Sequence, residues 1–347
     1  MTQYVDEMAE LILSVVIPVF NEAENIEPLL LRLLPVLERS VPSFEVLFVD
    51  DGSVDGTLAA LRKAHTADPR IHALSFSRNF GKEIAIAAGL DFASGAAVVI
   101  MDADLQHPPE MIETFVARWR EGYKNVYGQR IDRAADSPVR RLLTHRFYEI
   151  FSAFGEMGLP KGAGDFRLFD KQAVAALRGM REKARFSKGL YAWIGFKSIG
   201  VAFDVAPRAY GTSKFSYRKL VRFAFDGLMS FSTLPLKIWT YIGTTISLLS
   251  LASAIYFVLR TLAFGVDVPG YASLMVSITF LAGIQLLSLG ILGEYIGRIF
   301  SEVKGRPLYI LEDALGVVCE TPGEAAMPLN ESRIRPRASI RSGPSSH

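Results

Sequence analysis

Two stretches of this chain carry no charged residue for long enough to cross a lipid bilayer, and they limit the possible folds more than any other feature. Ile238 to Leu259 is 22 residues between Lys237 and Arg260, and Val268 to Gly293 is 26 residues between Asp267 and Glu294. At 1.5 Å rise per residue the shorter stretch spans roughly 33 Å, against about 30 Å of hydrocarbon. The alternative is a pair of buried core helices, which seldom run so long without a charge. The link from Arg260 to Asp267 is short, so the expected arrangement is an antiparallel hairpin, residues 237–300, with spans at about 238–259 and 270–293. Lys237 leads in and Arg298, Lys304 and Arg306 follow, whereas the link holds only Arg260. The excess of cations on one side places both long termini in the cytoplasm.

The stretch Arg208–Arg222, which leads into the expected juxtamembrane helices at 211–236, extends this membrane reading upstream. Arg208, Lys214, Arg218, Lys219 and Arg222 occur without an acid among them, interleaved with or followed by Phe215, Tyr217, Phe223, Phe225 and Phe231. The pattern predicts amphipathic helices lying at the headgroups, cations toward lipid phosphate. An ordinary half-buried surface helix has the same pattern, and adjacency to a span favours the former. Residues 301–347 form a C-terminal segment that is expected to be disordered after about Leu311, being rich in Pro, Ser, Gly and Arg.

The remaining residues, 13–210 after an extension at 1–12, are enough for one core. With 38 basic and 36 acidic residues the net charge is +2, which argues against a nucleic-acid partner. The single cysteine, Cys319, excludes an intramolecular disulfide framework and a Cys-cluster metal site. Asp6, Glu7 and Glu10 precede the first apolar run, so the N-terminal residues do not read as a secretory signal.

Short apolar, β-branched runs at Leu13–Phe20, Phe44–Val49, His72–Phe76 and Ala96–Met101 predict buried parallel strands. Helical segments are expected at Glu22–Arg39, Thr57–Thr66, Lys82–Phe92 and Pro109–Arg120, the first kinked or broken by Pro28 and Pro35. The alternation predicts an α/β fold with a doubly wound, mostly parallel sheet. Ligands of such sheets sit beyond the carboxyl ends of the strands. Polar motifs fall at those ends: Asn21-Glu22, Asp50-Asp51-Gly52-Ser53 and Asp102-Ala103-Asp104. No G-x-G-x-x-G follows the first strand, which excludes the usual dinucleotide dehydrogenase, and no P-loop is present.

Asp102 and Asp104 flank a small residue at a strand end, where both carboxylates can approach one ion. Two carboxylates without a cysteine suit a hard cation, Mg²⁺ or Mn²⁺, that also takes phosphate oxygens. Gln106 can orient the ion's waters or a diphosphate. A solvated turn is the plain alternative for D-x-D, and a turn with a helix N-cap is the plain alternative for Asp50-Asp51-Gly52-Ser53.

Ser14–Glu22 (SVVIPVFNE), Val49–Thr57 (VDDGSVDGT), Ser77–Lys82 (SRNFGK) and Met101–Glu110 (MDADLQHPPE) together resemble inverting family-two glycosyltransferases of GT-A fold. Within that family the chain is most similar to polyprenyl-phosphate sugar synthases, over roughly residues 13–310, including Gly164–Phe169 (GDFRLF), Arg208–Lys214 (RAYGTSK) and the hairpin. The resemblance implies inverting transfer of a sugar from a nucleoside diphosphate to a polyprenyl phosphate such as undecaprenyl phosphate. It implies an integral protein of the bacterial inner membrane with a cytoplasmic catalytic domain, and a homo-oligomer, with a tetramer among the options. It implies that Pro18, Asn21, Glu22, Asp50 and Lys82 border the nucleotide sugar and that Asp102, Asp104 and Gln106 meet the ion and the sugar diphosphate. Arg130, Arg141, Arg208, Ser213 and Lys214 are then expected toward the acceptor phosphate or the diphosphate. Where the mannose synthases carry a Ser-Gly-Phe-Arg stretch, this chain reads Gly164-Asp165-Phe166-Arg167, with the Asp that the bacterial glucosyltransferase branch carries there. That makes Asp165 a catalytic candidate beside Asp102, Asp104 and Arg130, although a loop carboxylate paired to Arg167 is the simpler reading. The branch implies glucose from UDP-glucose; mannose, N-acetylhexosamines and formylated aminoarabinose stay open. A processive polysaccharide synthase needs Q-x-x-R-W, whereas the one Arg-Trp here, Arg118-Trp119, has Phe115 in place of Gln. A non-catalytic membrane scaffold is disfavoured by the intact Asp102, Asp104 and Arg130.

Overall fold

A computed structural model describes residues 12–130, 163–183, 185–203, 234–264 and 270–317. Four apolar runs form parallel strands: β1 (Leu13–Val19), β2 (Phe44–Asp50), β3 (Ile71–Phe76) and β4 (Ala97–Ile100). Between them lie α1 (Ala23–Ser40), α2 (Thr57–Ala67) and α3 (Lys82–Phe92), and α4 (Met111–Arg120) follows β4. Then come β5 (Asn125–Arg130), β6 (Ala163–Asp170), α5 (Lys171–Gly179), α6 (Ser187–Trp193) and β7 (Ser198–Phe203). Two long helices, α7 (Leu234–Phe264) and α8 (Tyr271–Val303), precede a last strand, β8 (Leu311–Leu315).

The eight strands form one sheet in the order β7-β5-β6-β4-β1-β2-β3-β8. Strand β6 runs antiparallel to both β4 and β5, and β8 runs antiparallel to β3, so the mostly parallel sheet is mixed at its flanks. Strand alternation divides the core into two layers. Val15 and Ile17 face Leu29, Leu33 and Phe115 on one side. Val16 faces Ala85, Ile86, Val174 and Tyr191 on the other. Helix α3 lies so close to β1 that a Cβ on Gly89 would strike the Val16 side chain.

Two expectations need correction. Helix α1 is not broken: Pro28 and Pro35 both lie within one 18-residue helix. The carbonyls they deprive of partners belong to Glu24 and Leu31, both solvent-exposed, while Ile26, Leu29, Leu33 and Leu37 stay buried. Their exposure leaves the freed acceptors open to solvent, and apolar packing holds the helix together. Disorder also does not begin at Leu311. Leu311–Leu315 pairs with β3, Leu311 and Tyr309 are buried, and Arg62 binds Asp313 at 2.7 Å. The open edge of β3 supplies partners that no local pattern announces.

The expected span 238–259 lies inside α7, and 270–293 lies inside α8 apart from Gly270. Helices α7 and α8 lie against each other. Among the described residues one segment, Phe280–Val303, is long and apolar enough to cross a membrane, and α7 contains the shorter apolar stretch Tyr241–Ser253. Large apolar side chains such as Leu248, Leu262, Leu286 and Phe300 are exposed along both helices. The amphipathic stretch around 208–231 lies outside the described residues.

Candidate active site

The carboxyl ends of β1, β2 and β4 open into a cleft of 340 Å³ lined by Pro18, Phe20, Glu22, Asp51, Gly81, Lys82, Asp102 and Asp104, among others. A larger cavity of 540 Å³ lies at the opposite, amino ends of the strands, among Glu45, His72 and Arg178. The motif residues converge on the first.

Two loops build the cleft's floor. Asn21 turns the chain after β1 in the left-handed region, at φ 54°, which its side chain tolerates. Its amide donates to Ser53 Oγ at 2.9 Å and its Oδ1 accepts from Val54 N at 3.0 Å. The Glu22 amide donates to Thr57 Oγ1 at 3.0 Å. Asn21 thus fastens the β1 loop to the β2 loop, a use the sequence does not reveal.

Asp50 and Asp51 have different tasks. The buried Asp50 accepts from Ser53 N at 3.0 Å and Ser75 Oγ at 2.9 Å, which turns it into the protein. Asp51 lines the cleft and accepts the amides of Phe80 at 2.6 Å and Gly81 at 2.9 Å. Of the two neighbouring carboxylates it is Asp51, and not Asp50, that lines the cleft. Burial pushes the Asp51 carboxyl up, against the lowering effect of those two amides.

Asp51 thereby sets the start of α3 and aims its first residue, Lys82. Lys82 Nζ lies 2.6 Å from Asp102 Oδ1, 2.9 Å from Asp102 Oδ2 and 3.1 Å from Asp165 Oδ2. Burial works against the Lys82 ammonium, but the charges of Asp102 and Asp165 outweigh it and hold its pKa above the usual lysine range. Burial likewise raises Asp165, yet the charges of Lys82 and Lys188 prevail and keep its carboxyl below the usual range. Asp165 is thus ionised at neutral pH and salt-bridged to Lys82. Arg167 Nε donates to Gly164 O at 2.8 Å, and its guanidinium lies over the rings of Tyr127 and Tyr191.

Strand β4 ends just before Met101, and a turn through Leu105, at φ 58°, presents Asp102 and Asp104 to the cleft. Asp104 Oδ1 accepts from Gln106 N at 3.2 Å, which gives Gln106 a part in shaping the D-x-D turn. Behind them His107 stacks on Phe166, ring centroids 4.9 Å apart, and burial lowers its pKa, so this wall is neutral.

A divalent cation fits this cleft. Asp102 and Asp104 are hard oxygen donors on one turn, with no competing thiolate in the cleft. No group of three or more His, Cys, Asp or Glu suited to an ion occurs among the described residues, so a ligand's own oxygens would complete the coordination shell.

Of the remaining expected residues, Arg130 ends β5 beside Phe203 of β7, but its side chain is outside the described set. Arg141, Arg208, Ser213 and Lys214 lie outside it entirely.

The sequence matches the model of glycosyl transferase family 2 over residues 14–178 and that of the GtrB C-terminal hairpin over 234–299. It is 50% identical over 305 residues to an uncharacterised glycosyltransferase of Synechocystis sp., covering 88% of this chain and 96% of the relative. It is 41% identical over 301 residues to an SfII prophage-derived bactoprenol glucosyl transferase of Shigella flexneri, covering 86% of this chain and 97% of that one. A bactoprenol glucosyl transferase of Shigella phage SfV is 41% identical over 302 residues, covering 87% and 98%.

Proposed function

Because the chain belongs to glycosyl transferase family 2 and carries that hairpin, we propose that it moves glucose from UDP-glucose to a polyprenyl phosphate, with inversion, at the cytoplasmic face of a bacterial inner membrane. The carrying observation is the placement of Asp102 and Asp104 in one cleft with Lys82, in a chain that continues into two long, apolar-surfaced helices. The names of the two bactoprenol glucosyl transferases support the sugar and the lipid class. In this reading α7 and α8 span the membrane, both termini are cytoplasmic, and a homo-oligomer belongs to the same picture.

The acceptor phosphate oxygen attacks the anomeric carbon opposite the leaving diphosphate, and the bond from that carbon to the diphosphate oxygen breaks. With a second pKa of about 6 the acceptor is largely ionised at neutral pH, so no proton need be removed by the protein. Positioning and charge offset then dominate. Asp102 and Asp104 would hold Mg²⁺ or Mn²⁺, and the ion would supply offset of the charge that develops on the leaving diphosphate. Pro18, Glu22 and Asp51 border the nucleotide, Lys82 meets the diphosphate, and Asp165 orients Lys82. Arg130, Arg141, Arg208, Ser213 and Lys214 face the acceptor phosphate.

The test is a donor screen on the detergent-solubilised chain with undecaprenyl phosphate and Mn²⁺, using UDP-glucose, GDP-mannose and UDP-N-acetylglucosamine. Glucosyl lipid formed only from UDP-glucose is the expected result. Preference for another donor overturns the sugar, and no lipid product from any donor overturns the reaction.

A further inference from the structure

Lys82 occupies the place where a cation is needed. Both oxygens of Asp102 lie within 2.9 Å of its Nζ, and Asp165 Oδ2 lies at 3.1 Å. Asp51, Glu22 and Asp104 line the same cleft, so the ammonium sits among an excess of carboxylates. Metal coordination through Asp102 and the Lys82 salt bridge therefore compete for the same oxygens.

Lys82 is also built to leave. It is the first residue of α3, directly after Gly81, whose φ of 104° marks a sharp entry into the helix. Its side chain remains 43% exposed, so four rotatable bonds can carry the ammonium away from Asp102 without unpacking the core. The Asp51 bonds to Phe80 and Gly81 keep the backbone fixed while the side chain swings.

We propose that Lys82 is an internal stand-in for the divalent cation: it holds Asp102 and Asp165 together before any ligand binds and gives up Asp102 when ion and diphosphate arrive together. The inference rests on the reading of the function above. An ion arriving alone must displace the ammonium and leave it without a partner on that side. An ion arriving with a diphosphate offers the ammonium phosphate oxygens in exchange. Metal and nucleotide consequently bind cooperatively, and by linkage each tightens the other equally. The device disfavours occupation of the cleft by the metal alone.

The test is Mn²⁺ binding to the full detergent-solubilised chain, followed by electron paramagnetic resonance of free Mn²⁺, with and without UDP. Lys82→Met is expected to bind Mn²⁺ alone at least about tenfold more tightly than wild type, because the competing charge is gone. The enhancement of Mn²⁺ binding by UDP is expected to shrink by the same factor. Lys82→Arg, which keeps the charge, is expected to bind Mn²⁺ alone as weakly as wild type and checks that the gain comes from charge rather than from a loosened cleft. If wild type binds Mn²⁺ with UDP, but Lys82→Met shows unchanged or weaker binding of Mn²⁺ alone, the stand-in role is wrong and the proposed function survives. A gain in Lys82→Arg equal to that in Lys82→Met also overturns it. Mn²⁺ binding by none of the three chains, with UDP or without, overturns both readings.

Discussion

Glu83 accepts hydrogen bonds from both the backbone nitrogen and the hydroxyl of Ser187, 104 residues further along the chain. The first turn of α3 is thereby joined to the start of α6, on the side of the cleft where Asp165 stands. Burial pushes the Glu83 carboxyl up, and the Asp165 charge adds to this, against the Ser187 bonds. The folded chain thus holds the Glu83 proton more tightly than the unfolded chain. The stability this contributes is fully present below the unfolded value of about 4.3 and is lost as pH rises through the higher folded value. Glu83→Gln should gain melting temperature relative to wild type as pH rises from about 4.5 to 8. A thermal-shift series in detergent measures this, and a relative loss over that range would show that Glu83 is ionised at no cost.

Asp104→Asn should lower kcat/KM for transfer by about 100-fold or more while shifting stability by no more than about 0.5 kcal/mol. Treatment with EDTA should abolish activity, and Mn²⁺ should restore it. Full turnover by metal-stripped wild type would remove the ion from the mechanism.

Gly52 sits at φ 69°, and a Cβ there would strike the backbone carbonyl of Arg78. Gly52→Ala should cost about 1–3 kcal/mol and weaken UDP binding, since relief requires moving the loop that Asp51 anchors. Calorimetric titration with UDP and denaturant melts together check both halves.

The last strand supplies a contrast between packing and charge. Leu311→Ala should cost about 2–5 kcal/mol, because Leu311 is only 1% exposed against β3. Arg62→Ala, which removes the pair with Asp313, should cost at most about 1 kcal/mol, because Arg62 is 57% exposed. Equal losses for the two would show that the strand is held by charge.

A cysteine introduced between Arg260 and Asp267 should react with an impermeant thiol reagent added to intact cells, whereas Cys319 should stay unlabelled until the membrane is opened. Labelling of Cys319 from outside would reverse the orientation.

Legibility followed the length scale of the signal. Strands β1 to β4 and the helices between them were readable to within one or two residues, because a strand buried on both faces must be a continuous apolar run. Strands β5 and β7 alternate less clearly, and β8, with the sequence LEDAL, has no strand signature at all; its pairing depends on a neighbour more than 230 residues away. The D-x-D was legible because motif and strand end coincide, and Pro18, Glu22 and Lys82 because they stand in motifs that resemble a known family. That Asp51 rather than Asp50 faces the cleft was not, since neighbouring carboxylates differ only in which amides and hydroxyls reach them. The bridge from Lys82 to both Asp102 and Asp165 brings together three separate segments of chain, and no spacing encodes it.

Strand β8 also sets an order of assembly. It is made after both long helices, so while the chain is being synthesised β3 remains a bare edge until residue 311 has emerged. An unpaired edge invites wrong partners. Completion of the sheet thus waits on synthesis of both long helices, and a chain cut short before residue 311 is left with an exposed β3 edge.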